Sequence, residues 1–534
     1  MKQLLYLVSL LFLSFDVFAQ SAPHWEWGVG DTGVNYTVNP RYPKQLIAAH
    51  GNKVLWGEMA PASAVFSTYG AYKLSEYDSA GNQLSVVTSI SGRSQLLQAQ
   101  ADSAGNWYIL GTYYDTMQVD GGPLTYKSSF TSPDYFIFRL DASTLSLKWF
   151  QFIGPSYYSS CRSFHLNGSY LYLAVDSGLN NEILKADTGT GTMVVAASET
   201  NGGHLSAVVA DENGNMYATG TCPQFGNIIL GGHNDSITAA YTAYIVRYKS
   251  NGQYDWSIWM NDITCTPRNI SLLNNNTIFY SGELNDSLTI GSYSIKKPRI
   301  LANNYLAASL DSTGFVRWAV QPNDSLATIS LNSYCSITTD STLVIASQVS
   351  GNVLWGNGFQ FNYGYSSIAA IVAYGLNGSV AWTKYTDCSE ATPQQLVSNG
   401  WDIWISGNVQ DTSAMLLDTI SVAINTPGSV PFLAKLKAPL LPVNNLLAPA
   451  INNAAEFIKV YPNPATQTIM IKGFEKNAPL SISLSEITGR LIYNEQGGNV
   501  QGIKSIDVSV YPRGMYFLVV NTAGKNIIKK LVLQ

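Results

Sequence analysis

Charge is what this chain has least of. Asp, Glu, Lys and Arg together make up 12% of 534 residues, with a formal net charge of −5. No basic stripe is available to neutralise phosphates, so nucleic acid is excluded as a partner class. The five histidines, His24, His50, His165, His204 and His233, form no H-E-x-x-H and no His-x-His pair. The sequence therefore offers no zinc or other metal ligand set, and neither a cofactor nor a catalytic residue is expected. No G-x-S-x-G elbow occurs, and Ser294 with Lys297 matches S-x-x-K by spacing alone, away from any helix start. The five cysteines, Cys161, Cys222, Cys265, Cys335 and Cys388, are odd in number, so one stays unpaired within the chain. Four of them, all but Cys222, fall shortly before the first hairpin of a repeat and could share a rim. Their spacing matches no metal-ligand pattern, and inert buried thiols are expected, with one disulfide open to an oxidising compartment.

Long apolar runs are equally rare. One spans Leu4 to Phe15, behind Lys2 and ahead of Ala19. It falls short of the roughly 20 residues of a spanning helix, and Asp16 interrupts it. Residues 1–19 therefore read as a secretory signal peptide, with Gln20 as the new N-terminus and no lipid-accepting cysteine behind it. No later run could cross a bilayer. The sequence expects a secreted or outer-surface protein that travels via the periplasm.

What the chain does have is Gly, Tyr, Ser, Thr and Asn in short alternating runs, a composition suited to solvated sheets. His204–Asn261 shows the unit: four apolar-alternating runs, the first two joined by "DENGN" and the last two by "KSNGQ". Asn-Gly and Gly-Asn between period-2 runs signal antiparallel hairpins. The first hairpin recurs at 49–57, 102–111, 166–175, 211–220, 273–282, 338–347 and 398–407. The second, often closing on Trp, recurs at 72–87, 136–149, 182–195, 244–256, 305–318 and 371–382, and breaks off at 431–439. Seven such pairs about 60 residues apart predict seven four-stranded sheets packed radially, a seven-bladed β-propeller over 20–438. The last sheet lacks a strand and "HWEWG" at 24–28 is spare, so Trp25 and Trp27 are expected to close the ring, Trp25 standing where Trp256, Trp318 and Trp382 stand.

The order "D-x-x-G-N-x-Y-x-x-G", polar insert, aromatic strand, "G-x-x-x-W" resembles the secreted bacterial β-propeller repeats, over roughly 24–438. The copies at 166–199 and 338–347 lack the acidic-Gly-Asn turn or the Trp. The resemblance implies a shape and no particular reaction.

Residues 439–456 read as a linker, with three prolines and four asparagines. Beyond it, seven short strands over 457–534 predict a small immunoglobulin-like β-sandwich. "VYPNPATQTIMI", "LSEITGRLIY", "VYPRGMYFLVV" and the terminal "KKLVLQ" resemble the type A C-terminal sorting domain of proteins exported by the type IX secretion system. The residues that carry the match are Tyr461, Pro462, Asn463, Pro464, Gly489, Arg490, Gly514, Tyr516 and Lys530. The resemblance implies the outer-membrane translocon as partner and release or surface attachment of the cargo. On physical grounds alone the same prolines and glycines shape strand starts and turns, and Tyr516 packs.

The remaining motifs have plain structural readings. "GVGDTG" (Gly28, Gly30, Gly33) fits a dinucleotide fingerprint by spacing but lacks the following helix. "DENGN" (Asp211, Asn213, Asn215) resembles a calcium loop with its Gly displaced, and a hairpin turn accounts for it. "DSTGFVRW" resembles the tryptophan-docking repeat of quinoprotein propellers, with Trp318 an inter-sheet packing residue. The inserts at 113–134, 222–242, 284–304, 349–367 and 409–430 are the candidate recognition surface, with Tyr113, Tyr114, Tyr126, Phe130, Phe359, Phe361, Tyr363 and Tyr365 upon them or covering sheet edges. The sequence thus favours a non-catalytic module that binds an unknown extracellular ligand, glycan or protein. The alternatives are a hydrolase or lyase acting at the propeller mouth and a quinone-dependent enzyme. Three convergent acid, base or metal groups at the mouth would favour an enzyme; an aromatic, uncharged mouth would favour binding.

Overall fold

The computed structural model describes residues 22–30, 45–59, 70–119, 125–126, 133–153, 160–177, 180–222, 226–237, 242–260, 265–284, 286–296, 304–324, 327–332, 334, 336–339, 342–356, 358–362, 367–388, 390–410, 414–422, 429–439, 459–472, 479–486, 491–499, 503–522 and 525–534. The expected signal segment and nearly all of the expected linker lie outside them. Two compact units divide the chain, Met1–Leu446 and Leu447–Gln534. Both are built of strands, with no helix among the described residues.

In the first unit the strands follow one another in antiparallel order within each sheet. Ser160–Asn167, Tyr170–Asp176, Asn180–Asp187 and Met193–Thr200 form one such set. His204–Ala210, Met216–Thr221, Ala243–Tyr248 and Tyr254–Trp259 form the next, and Cys265–Asn274, Thr277–Leu284, Asn304–Leu310 and Val316–Val320 another. A further set runs from Ser336–Thr338 through Thr342–Ser350 and Ile368–Gly375 to Val380–Tyr385. Nearer the N-terminus, two sets merge because the long strand Gln83–Ala101 serves both. Its first half pairs with Gly70–Asp78 and its second half with Trp107–Val119. Asp-x-x-Gly turns set the registers. In "DENGN" the Gly214 amide bonds to the Asp211 carbonyl, and Asp211 Oδ1 accepts the Asn213 and Asn215 amides, each at 2.9 Å. The Asp is thereby occupied in shaping its own hairpin.

The last set, Ala391–Asn399, Asp402–Val409 and Val430–Lys437, takes its fourth strand from the other end of the unit. His24–Gly30 pairs antiparallel with Val430–Lys437, Trp25 opposite Leu436 and Trp27 opposite Lys435. A bulge between the two tryptophans and the period-2 alternation send them to different neighbours. Trp25 packs with Trp355, Trp382 and Leu436, its indole donating to the Tyr385 carbonyl. Trp27 packs with Ile47, Trp56 and Tyr77. Lys435, 4% exposed, meets Glu26 of the N-terminal strand at 2.6 Å and Asp402 at 3.1 Å.

Trp27, rather than Trp25, matches the tryptophans of the other outer strands. Its indole donates to the Ser79 carbonyl at 2.8 Å, on the turn of the adjoining sheet. Trp149, Trp256 and Trp318 do the same to Thr188, Ser312 and Leu376. Each ring lies over a glycine with positive φ. A Cβ on Gly81 would fall 2.8 Å from the Trp27 ring, and Gly378 stands in the same relation to Trp318. The turn glycine is thus required twice, for its backbone angle and for the approach of the indole.

The inserts differ from expectation. Most are not loops but short hairpins: Gly226–Leu230 with His233–Ile237, Leu288–Ile290 with Tyr293–Ile295, Asn352–Gly356 with Phe359–Asn362, and Met415–Leu417 with Ile420–Val422. Alternate side chains such as Ile228, Leu230, Ile290, Trp355 and Leu417 are buried, so these segments join the core. The hairpin at 226–237 extends the preceding sheet, Leu230 pairing with Glu199.

In the second unit, Lys459–Tyr461, Thr468–Lys472 and Ile503–Asp507 form one sheet. Leu491–Asn499, Pro479–Glu486, Gly514–Thr522 and Lys525–Leu533 form the other. Ile469, Ile471 and Ile506 from the first meet Ile482, Leu484, Leu518 and Leu531 from the second in one core.

Trp27→Ala removes a buried indole from the joint between the two chain ends of the unit and should cost about 3–5 kcal/mol. Deletion of 22–31 should abolish cooperative folding. Urea denaturation checks both, and an unchanged midpoint for the deletion would contradict this account of the joint.

Candidate functional site

The first strands of the sheets stand side by side around a cavity of about 350 Å³. Its wall takes Ile47–Ala49, Gln98–Ala101, Ser163–His165, Val208–Val209, Asn269–Leu272, Ser336–Thr338 and Gln395–Ser398, with Tyr334. The described lining residues include no Asp, Glu, Lys or Arg. His165 is the one titratable nitrogen base among the described residues of the wall, and burial pushes its pKa down to about 4. Its Nδ1 accepts the Ala210 amide at 3.0 Å, so the ring is neutral with its proton on Nε2.

The amides of this wall are committed to the backbone. An innermost strand has one edge with no partner strand, and its N–H and C=O groups must bond elsewhere. Gln395 accepts the Ile47 amide at 2.9 Å and donates to the Leu97 carbonyl at 2.8 Å. Gln98 accepts from Phe164, and Gln100 accepts from Leu166 while donating to Phe164, all at 2.8 Å. Asn269 donates to the Ser336 carbonyl, and Ser163 accepts from Val208 at 3.3 Å. These side chains stitch several of the sheets to their neighbours. The sequence shows them only as polar residues in alternating strands, and nothing local marks their partners.

Where the strands begin, Tyr334 reaches across to donate its hydroxyl to the Arg162 carbonyl. Beside it lies a polar cluster that sequence reasoning missed. Asp176 is fully buried and accepts from the Ser160 hydroxyl. The same Asp oxygen lies 3.8 Å from Arg162 Nε and 3.4 Å from His204 Nδ1. Ser160 donates to the carboxylate and not to the imidazole, so the order is not that of a nucleophile, base and orienting acid. Its four residues come from three strands, which is why linear spacing hides it.

The described cysteines, Cys161, Cys222, Cys265 and Cys388, are buried; Cys335 lies outside the described residues. Among the described residues no group of three His, Cys, Asp or Glu could hold a metal. His24 is exposed, and the His233 ring stacks on Tyr254 at 4.1 Å. Phe361 stacks on Tyr385, and Tyr113 is buried against Phe136. Phe130, Tyr363 and Tyr365 lie outside the described residues.

In the second unit, Asn463 donates to the Lys530 carbonyl at 2.7 Å and accepts the Val532 amide at 2.9 Å. The segment Tyr461, Pro462, Asn463, Pro464 is thereby tied to the final strand. Tyr516 is buried, its hydroxyl donating to the Pro512 carbonyl at 2.6 Å. Gly514 starts that strand, whereas the side chains of Pro462, Pro464 and Lys530 are exposed. Gly489 and Arg490 lie outside the described residues.

Residues 459–534 match the family model of the secretion system C-terminal sorting domain. The chain is thus an exported protein, delivered to the cell surface or secreted. No curated protein matches it. Among solved structures it resembles the Dos1 propeller at 9% identity, over 77% of this chain and 95% of that one, with a TM-score of 0.39. A quinohemoprotein alcohol dehydrogenase from Comamonas testosteroni matches at 10% identity over 77% and 76%, TM-score 0.37. A puromycin hydrolase matches at 9% over 85% and 62%, TM-score 0.43. These are likenesses of fold alone.

A buried acid away from the cavity allows a pH test. Glu199 is 2% exposed and accepts from Tyr244 at 2.6 Å, Tyr248 at 2.7 Å and Asn181 at 2.9 Å. Burial raises its pKa, and the three donors offset that only in part. A raised folded-state pKa gives stability that is complete below the ordinary carboxyl range and is lost as pH rises through the raised value. Glu199→Gln should therefore gain on the wild type in melting temperature as pH rises above the ordinary glutamate range, in a series of thermal melts. A difference independent of pH would contradict it.

Proposed function

We propose that this is a surface-displayed or released binding protein: a seven-bladed β-propeller closed by residues 24–30, carried out of the cell by an immunoglobulin-like sorting domain. It binds a glycan or a protein without catalysis. The observation that carries the export half is the match of 459–534 to sorting domains, with an N-terminal signal peptide supplying the step into the periplasm and the type IX translocon the step beyond. The propeller reading is supported by the cycle of first strands around the cavity and by the pairing of His24–Gly30 with Val430–Lys437. Motif order keeps the likeness to secreted bacterial β-propeller repeats. The binding reading is supported by a cavity wall whose described lining residues include no carboxylate, lysine or arginine.

A hydrolase or lyase is the second reading, and the rim favours it in one respect: Asp176, His204 and Arg162 converge there. A glycan and protein binding array run beside a hydrolase and lyase panel on the full chain decides between the two. Saturable binding without turnover is the expected result, and turnover would displace it. For export, removal of 457–534 should leave the protein in the periplasm on cell fractionation; surface delivery of the truncation would refute the sorting role.

A further inference from the structure

We propose that the rim cluster of Arg162 and His204 binds an acidic sugar, through the carboxylate or sulfate oxygens that such a sugar carries. This rests on the binding reading above and names the ligand class for it.

The geometry begins with Asp176. A fully buried carboxylate needs bonds and opposite charge, and it draws Ser160, Arg162 and His204 onto one oxygen. It thereby orients the two donors by one end only. Arg162 turns Nε inward, to the Ser160 hydroxyl at 3.1 Å and toward Asp176. Among the described residues its two Nη atoms meet no partner, and the side chain is 47% exposed. His204 turns Nδ1 inward, so its Nε2 faces outward on a side chain that is 60% exposed. Asp176 itself has no exposed surface, so a ligand meets the donors and not the acid. Two oriented donors, one of them a planar guanidinium, suit the paired oxygens of a carboxylate or sulfate.

The rest of the ligand is indicated by what lies next to the donors. Tyr334, whose hydroxyl bonds to the Arg162 carbonyl, also lines the cavity and offers an aromatic ring. Beyond it the described lining residues carry no Asp, Glu, Lys or Arg, so the wall supplies no further charge to a ligand held at the rim. An anion attached to a hydroxyl-rich ring fits this gradient, whereas a run of carboxylates does not.

The test is titration of the purified full chain with polygalacturonate, dextran sulfate, neutral dextran and polyglutamate, by calorimetry at two salt concentrations. Saturable binding of polygalacturonate or dextran sulfate, weakened by salt, is expected, and which polymer binds separates carboxylate from sulfate. Arg162→Gln and His204→Gln should each weaken it about tenfold or more. Arg162→Lys keeps the charge beside Asp176 and loses the planar fork, so it should fold as the wild type and bind with intermediate strength. Failure of both acidic polymers to bind, or equal binding by folded variants, overturns the proposal. So does polyglutamate binding as tightly as the acidic polysaccharides. Binding of neutral dextran that survives every substitution would overturn the acidic-sugar site while leaving the wider binding reading intact.

Discussion

A sheet ends where its last strand runs out of partners, and the first unit has to join many such edges without a continuous ladder. Side chains make the joints. At the inner edges, Gln395, Gln98, Gln100 and Asn269 take up backbone groups of the adjoining strand. At the outer edges, Trp27, Trp149, Trp256 and Trp318 donate to a turn carbonyl of the adjoining sheet and cover its glycine. One set satisfies polar groups and the other buries apolar area, so each joint resists both water and slippage. The two ends of the unit meet through the same device, with Trp27 in the place held elsewhere by residues inside the repeats.

This economy bears on function. A glutamine that bonds a neighbouring strand through both its oxygen and its nitrogen has little left with which to hold a ligand or move a proton. The cavity is therefore lined mainly by structure, and the groups that remain reachable stand at its rim. There Asp176, buried by the packing of its own sheet, imposes orientation on Arg162 and His204. The same burial that makes an isolated carboxylate costly makes it an effective anchor for donors that stay partly in water.

The sorting domain shows a comparable division of labour. Asn463 and Tyr516 bond to backbone carbonyls and hold the Pro-Asn-Pro segment and the final strand in place. Pro462, Pro464 and Lys530 are left facing solvent, where another protein can reach them. A motif that looks uniform along the chain thus splits into residues that build the domain and residues that its surface displays.

Much of this was legible in the order of residues alone. Alternation with a period of two, broken by Asp-x-x-Gly turns, is a local property, and it placed the strands and hairpins because sheet formation and turn chemistry act over a few residues. The sorting motifs were readable for the same reason, being short, ordered and terminal. The roles of Trp25 and Trp27 were not separable, because the bulge between them depends on the register with Val430–Lys437. The inserts read as polar loops, since hairpins of three to five residues a side have too few alternations to stand out; only packing on a neighbouring sheet makes them strands. The rim cluster was hidden altogether. Ser160, Arg162, Asp176 and His204 carry no shared spacing, and only the folding of separate strands onto a common edge brings their atoms to one carboxylate oxygen. Residue order determined the alternating strands of the repeats and that the chain is exported; the tertiary structure decided which polar side chains are spent on holding sheets together and which stay exposed at the rim, because that choice is made by partners distant along the chain.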